Sequence, residues 1–301
     1  MSLVINHNMM AANTARNLNA HYSQLSKSVQ RLSTGLRVNS AADDAAGLAI
    51  RELQRADIAT LQQGARNAND AISMIQTADG ALGVIDEKLT RMKELAEQAA
   101  TGTYDSTQRL MIESEYQAMA SEITRIANAT DFNGIHLLNG SLSSDTHDGS
   151  GMSASGKMKI HFGTGNDSAE DYYYIKIGTS TASALGVGNQ ALDENGNLRA
   201  GGTVSTQEAA QKALDAITNA IISKDKIRAH LGAMQNRLEN TITNLNTQAE
   251  NLQAAESRIS DVDVATEMTQ FVRNQILSQS AVAMLSQANS LPQMAMKLIG
   301  G

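Results

Sequence analysis

The chain has 301 residues, a formal net charge of −7, no cysteine, no tryptophan, one proline and 3 % aromatic residues. The negative balance disfavours a nucleic-acid backbone as the main partner. The lack of cysteine excludes disulfide frameworks, thiolate metal sites and cysteine nucleophiles. With so few large aromatics a wide, enzyme-like core is not expected, whereas Ala, Asn, Ser, Gln and Leu at helical spacing suit narrow seams between helices.

The opening MSLVINHNMMAANTARNLNA lacks the charged start, apolar run and small-residue cleavage site of a secretory signal peptide. No window approaches the ~20 apolar residues of a membrane span. Export would therefore read an uncleaved signal. Leu18, Tyr22, Leu25, Val29, Leu32 and Leu36 follow a 4-3-4-3-4 spacing, which predicts a first helix with an a/d seam. The stretch LSTGLRVNSAADDAAGLAI, residues 32–50, interrupts it. Gly35 weakens the helix and Asn39-Ser40 is turn chemistry. Ser40 reads as the N-cap of a new helix, with Asp43 as its reciprocal partner and Asp44 also favoured near a helix start. Gly47 permits close packing beyond this corner.

A long second helix follows. Leu61, Ala65, Ala68, Ile72 and Ile75 keep the 4-3 spacing, and Ala78, Leu82, Ile85, Leu89, Met92, Ala96 and Ala99 resume it after one extra step of three. TGTYDST (101–107) is a turn. A third helix carries Ile112, Tyr116, Met119, Ile123 and Ile126 and ends before the turn signal Asn133-Gly134. From about residue 139 to 204 Gly, Ser, Asp, Asn and Thr rise and the heptads vanish. KMKIHFG and YYYIKIG, separated by TGNDSAED, predict a hairpin or small sheet. The helical pattern returns at Thr206, with Leu231, Leu238, Leu245, Leu252 and Ile259 at every seventh position. SDVDVAT (260–266) makes a second corner. A final helix runs through Met268, Val272, Ile276, Leu285 and Leu291.

Chemistry-bearing constellations are weak beside this pattern. A first-turn position explains Asp43 and Asp44 without catalysis. His7, His21, His136, His147, His161 and His230 are scattered without ligand spacing. DENGN (193–197) starts like a calcium loop, but its Gly stands fourth rather than sixth and the twelfth place is Val204. No catalytic, metal or cofactor residue is expected.

The segments NTARNLNAHYSQLSKSVQRLSTGLRVNSAADDAAGLAI and, near the other end, LGAMQNRLENTITNLNTQAENLQAAESRISDVDVATEM and NQILSQSAVAMLSQANSLPQ resemble the signatures of bacterial flagellins. The likeness covers roughly residues 1–140 and 205–301, in the expected order around a divergent middle. It implies a mainly α fold: an elongated antiparallel helical coiled coil or bundle of paired N- and C-terminal regions, with a small β-hairpin-containing central insert. The implied domains are an inner terminal coiled coil (1–40 plus 262–301), a helical rod (41–140 plus 205–261) and a variable surface insert (141–204). The implied function is that of a secreted, non-enzymatic subunit, exported unfolded and polymerised into the extracellular flagellar filament for swimming. Its expected partners are further copies of itself, an export chaperone and the export apparatus, filament cap and hook-junction proteins. Nucleic acid and membrane insertion are not expected.

The residues expected to carry assembly are the helix seams Leu18, Leu25, Leu32, Leu36, Val272, Ile276 and Leu285, with Gly35, Ser40, Asp43 and Asp44 forming the joint between helices. Apolar 4-3 spacing is usually plain core; the functional version is that some seams are buried only between copies. In flagellins the segment matching LTRMKELAEQAA (89–100) also contacts an animal Toll-like receptor. Carried over, Leu89, Arg91, Leu95, Gln98 and Glu115 match that pattern, and Glu97 stands where the family more often has an apolar residue. A hook–filament junction protein, with similar termini, is the alternative within the flagellum. A soluble coiled-coil effector is the alternative outside it, and would keep ordered ends as a monomer.

Overall fold

The computed structural model describes residues 8–150, 155–189, 191 and 200–299. His7, DENGN and the side chain of Leu291 lie outside what is described. The chain forms two compact units, Met1–Ile58 with Glu250–Gly301, and Ala59–Ala249.

In the terminal unit, α1 (Met9–Thr34) packs along α6 (Val264–Ile299). The pair is antiparallel: the Asn8 amide donates to the Ala288 carbonyl (2.8 Å) at one end, and Arg31 meets Glu267 (3.5 Å) at the other. Asn8 caps α1 by accepting from the Ala11 N–H. Gly35 ends it in the left-handed region (φ 73°), donating to the Arg31 carbonyl, a conformation that disfavours any residue with a Cβ.

The two sequence corners are hydrogen-bonded to each other. Leu36 and Asp261 form an antiparallel bridge. Arg37 N–H donates to the Ser260 carbonyl and Val262 N–H to the Gly35 carbonyl, and the Arg37 guanidinium reaches the Ile259 carbonyl (2.6 Å). One correction concerns the cap. Helix α2 (Ala45–Ala100) starts after Asp44, not after Ser40. Asp44 is its N-cap: its Oδ1 accepts from Gly47 N–H (2.9 Å) and its carbonyl from Leu48 N–H. Ser40 and Asp43 close the preceding turn. The Asp43 carboxylate accepts from the N–H groups of Asn39 and Ser40 and from the Ser40 hydroxyl. Partial burial opposes its ionisation, and these donors together with Lys27 outweigh it, so its pKa is lowered. At the second corner, Asp263 caps α6 through Ala265 N–H, Thr266 N–H and the Thr266 hydroxyl.

In the second unit, α2, α3 (Ser106–Ala129) and α5 (Gln207–Ser260) share one core. The α2 stripe is buried as spaced, from Leu61 through Ile75, Leu82 and Ile85 to Ala99. The extra step of three leaves the helix unbroken, and the stripe widens there to take in Ala71 and Met74. Asp105 opens α3 with a full capping box closed by Gln108. Asn133 (φ 53°) and Gly134 (φ 78°) form the tight turn of a hairpin between β1 (Asp131–Phe132) and β2 (Ile135–His136), where two left-handed residues match the twist of the strands. A second hairpin pairs β3 (His147–Asp148) with β4 (Ser155–Gly156). The expected hairpin is β5 (Met158–His161) against β6 (Tyr172–Ile175), with Met158 opposite Ile175 and His161 opposite Tyr172.

The segment 141–204 supplies core as well as surface. Leu142, Phe162, Ile175, Ile177, Val187 and Val204 are buried, as is Leu185 of the short helix α4 (Ala182–Leu185). The α3 helix clamps the returning chain. The Tyr116 hydroxyl donates to the Gly201 carbonyl (2.7 Å), Gln117 bonds both Gly202 and Asn189, and Glu113 accepts from Val204 N–H. Burial pushes the Tyr116 phenol well above its usual pKa.

Candidate assembly surface

The sequence seam of α1 divides in two. Leu18, His21, Leu25, Ser28 and Leu32 are buried or half-buried, whereas Tyr22 and Val29 are exposed. Helix α6 divides more sharply. Its inward positions, Glu267, Phe271, Asn274, Ser278, Ala281, Leu285 and Ala288, recur at 4-3 spacing and include three polar residues. Its apolar residues are not confined to that side: Met268, Val272 (44 % exposed) and Ile276 (56 % exposed) lie opposite it, and Val264, Leu277, Val282 and Met284 are exposed on its flanks. Of the expected seam residues, Leu18, Leu25, Leu32, Leu36 and Leu285 are half-buried within the unit, and Val272 and Ile276 lie on the open face.

Apolar residues therefore surround α6, while α1 keeps Leu18, Leu25 and Leu32 on its inner side. A helix normally turns its apolar stripe to the core. Here the seam holds a buried Glu267 beside Arg31, and the His21 Nδ1 and Ser278 Oγ are buried without a hydrogen-bond partner. Such groups lower the stability of the pair. The outward apolar face is the kind of surface that another protein copy covers. The inward polar heptad was missed in the sequence, although Glu267, Asn274 and Ser278 carry the same 4-3 signal as the apolar stripe.

In the second unit, the residues matched to receptor contact separate into two groups. Arg91 and Glu115 are exposed and joined across α2 and α3: the guanidinium donates twice to Glu115 (3.0 and 2.9 Å) and once to Glu94 (2.9 Å). These bonds, Glu94 first and Glu115 next, raise the Arg91 pKa. Gln98 is exposed and donates to the Tyr104 hydroxyl (3.0 Å). Leu89 and Leu95, in contrast, are 0 % and 1 % exposed. Both belong to the core shared with α3 and α5, so neither offers a side chain to an external partner. The expectation that they make receptor contacts is corrected on that ground.

Residues 5–143 match the bacterial flagellin N-terminal helical region, and residues 214–299 the bacterial flagellin C-terminal helical region. A flagellar filament 33 kDa core protein of Treponema phagedenis is 40 % identical over 297 residues, covering 99 % of this chain and 100 % of that protein. A flagellin of Bacillus subtilis (strain 168) is 42 % identical over 311 residues, covering 98 % and 99 %. Among solved structures, a flagellar hook-associated protein of Vibrio parahaemolyticus has the same fold with 14 % identity and a TM-score of 0.55, covering 73 % of this chain and all of that one. No helix among the described residues is long and apolar enough to cross a membrane. With both terminal regions matched and about two-fifths identity over nearly its whole length, this chain belongs to the bacterial flagellin family.

Proposed function

We propose that this chain builds the extracellular flagellar filament by burying the outward apolar face of α6, with Tyr22 and Val29 of α1, between copies. The observation that carries this reading is the exposed apolar strip Met268, Val272 and Ile276 on α6, opposite an inner side that includes Glu267, Asn274 and Ser278. Burial of apolar surface yields roughly 25 cal/mol per Å², and in a filament that gain recurs in every subunit. The layers that go with this reading are an inner pair (1–40 plus 262–301), a rod (41–140 plus 205–261) and an outer region (141–204). The chain crosses the export apparatus unfolded, held by a chaperone on the way. A chain without cysteine cannot be trapped by disulfides in transit. Cap and hook-junction proteins bound the filament at its ends.

The free subunit also presents a recognition surface to an animal Toll-like receptor. What supports this is the exposed Arg91–Glu115 pair with Gln98 beside it. An Arg fork is a common interface anchor. Leu89 and Leu95 act only by holding α2 in place.

Seeded polymerisation followed by negative-stain microscopy tests the main reading. Wild-type protein is expected to extend seeds, and the Val272→Asp/Ile276→Asp variant is expected to stay monomeric with unchanged helix content. Normal filaments from that variant would remove the α6 face from assembly. Reporter-cell titration tests the second reading: Arg91→Ala should lower monomer potency at least about tenfold, roughly 1.4 kcal/mol, and equal potency at equal folding would exclude Arg91.

A further inference from the structure

The chain carries 14 methionines and no cysteine, so thioethers are its only sulfur. They divide sharply between the two units. In the second unit Met74, Met92 and Met234 are buried, Met119 and Met158 are half-buried, and Met111 is exposed. In the terminal unit every described methionine is exposed: Met9 and Met10 of α1, and Met268, Met284 and Met294 of α6. Met268 differs from the others in its place. It is 44 % exposed and lies one turn before Val272 and two before Ile276, so its sulfur belongs to the apolar strip of α6.

We propose that Met268 is an oxidative modification site, and that its sulfoxide removes a free subunit from assembly. The oxidant is of the peroxide class. The thioether sulfur attacks one oxygen of hydrogen peroxide, the S–O bond forms as the O–O bond breaks, and the second oxygen leaves with both protons as water. Sulfur loses two electrons and the peroxide gains them. No protein base is needed, only access to the sulfur. The product places a polar, chiral S=O group where an apolar chain stood. In the free subunit that group is hydrated, so the α1–α6 pair is unchanged. Beneath a second copy it becomes a buried acceptor without a partner, which opposes the contact. The inference rests on the filament reading above and adds a control on that same strip. It also has a direction: assembly covers the sulfur, so finished filaments resist the oxidant that disqualifies free subunits. Methionine sulfoxide reductases reverse the modification, so the block can be lifted.

Internal competition tests this on the wild-type protein. Monomer is partly oxidised with hydrogen peroxide, seeded growth is run, and filaments are sedimented. Peptide mass spectrometry then reads each methionine in both fractions. Met268 sulfoxide should be at least tenfold enriched in the unassembled fraction, and reductase treatment of that fraction should return it to filaments in a second round. Equal Met268 sulfoxide in the two fractions overturns the proposal. Met268→Leu keeps the apolar bulk without an oxidisable sulfur. After the same treatment it should grow at its unoxidised critical concentration, whereas oxidised wild type should need at least ten times more. Equal inhibition of Met268→Leu and wild type would assign the effect to another residue and sink the proposal. Peroxide applied to finished filaments should convert Met268 at least tenfold more slowly than in free subunits; equal rates overturn the protection. Failure of unoxidised wild-type protein to extend seeds would instead count against the filament reading itself.

Discussion

Lys224 is buried on α5, 1 % exposed, with its ammonium held between Asp86 of α2 and Asp225. The two carboxylates are partly hydrated, so the cost of burial falls on the lysine alone. Lys224→Met keeps the length and removes the buried charge; it is expected to change stability by less than ~1.5 kcal/mol. Removing both partners (Asp86→Ala with Asp225→Ala) strands the ammonium and should cost ~3–5 kcal/mol. Denaturant unfolding of the two variants measures the contrast. One turn of α5 further on, Arg228 donates two bonds to Asp79 (2.7 and 3.1 Å). That hydrogen bonding holds the Asp79 pKa below its ordinary value, against a smaller opposing effect of burial. A depressed carboxylate stabilises the fold above its unfolded pKa and loses that contribution as pH falls through the folded one. Asp79→Asn should therefore lower Tm near neutral pH, and the difference from wild type should vanish well below pH ~3.9. Gly64 is a steric case. A Cβ there would collide with the Phe162 carbonyl where the β5–β6 hairpin lies on α2, next to the bond from Asn67 to the His161 carbonyl (2.9 Å). Gly64→Ala is expected to cost ~1–3 kcal/mol through forced displacement of backbone.

At the scale of elements, the two corners carry their own caps, and these are separable from the seams. Asp44→Ala and Asp263→Ala should each cost ~1 kcal/mol, read as a lower Tm and frayed exchange at the starts of α2 and α6. Ser40→Ala should cost less, because Ser40 only closes the turn before the cap. The sequence could not separate Ser40 from Asp44, since both side chains are favoured N-caps. Only the point where the backbone becomes helical decides between them. The 4-3 spacing made α2 legible from Leu61 to Ala99, and the strand-like runs KMKIHFG and YYYIKIG exposed β5 and β6. The same spacing already placed Leu89 in the core seam. Family likeness alone assigned it to an external contact, and packing against α3 decides the matter for Leu95 as well. The burial of Leu142, Phe162 and Val187 was hidden because short, irregular segments show no period when each contributes a single anchor. The orientation of α6 was hidden for a different reason: apolar residues lie on both of its sides, and hydrophobicity alone does not say which side meets α1.

For the whole molecule, the two units differ in what holds them. The second unit packs Ile75, Leu82, Ile85, Met92, Ile123, Leu231 and Leu238 into one apolar core. The α1–α6 pair is held by half-buried leucines around Glu267, Asn274 and Ser278, with His21 Nδ1 and Ser278 Oγ unpaired. Local opening free energies in a protein run from near zero to the global value, and regions poor in buried apolar contact lie at the low end. In the free subunit, amides of residues 12–33 and 268–290 should therefore exchange at least ~100-fold faster than those of residues 82–99, a difference of about 2.8 kcal/mol. On the proposed assembly through the outward face of α6, the same amides should become as protected in filaments as the core of the second unit. Hydrogen exchange on monomer and filament, read by mass spectrometry, measures both states. Equal protection of the two units in the free subunit would show that the polar seam is no weaker than the apolar core. Unchanged fast exchange in α6 after assembly would show that copies do not meet on its apolar face.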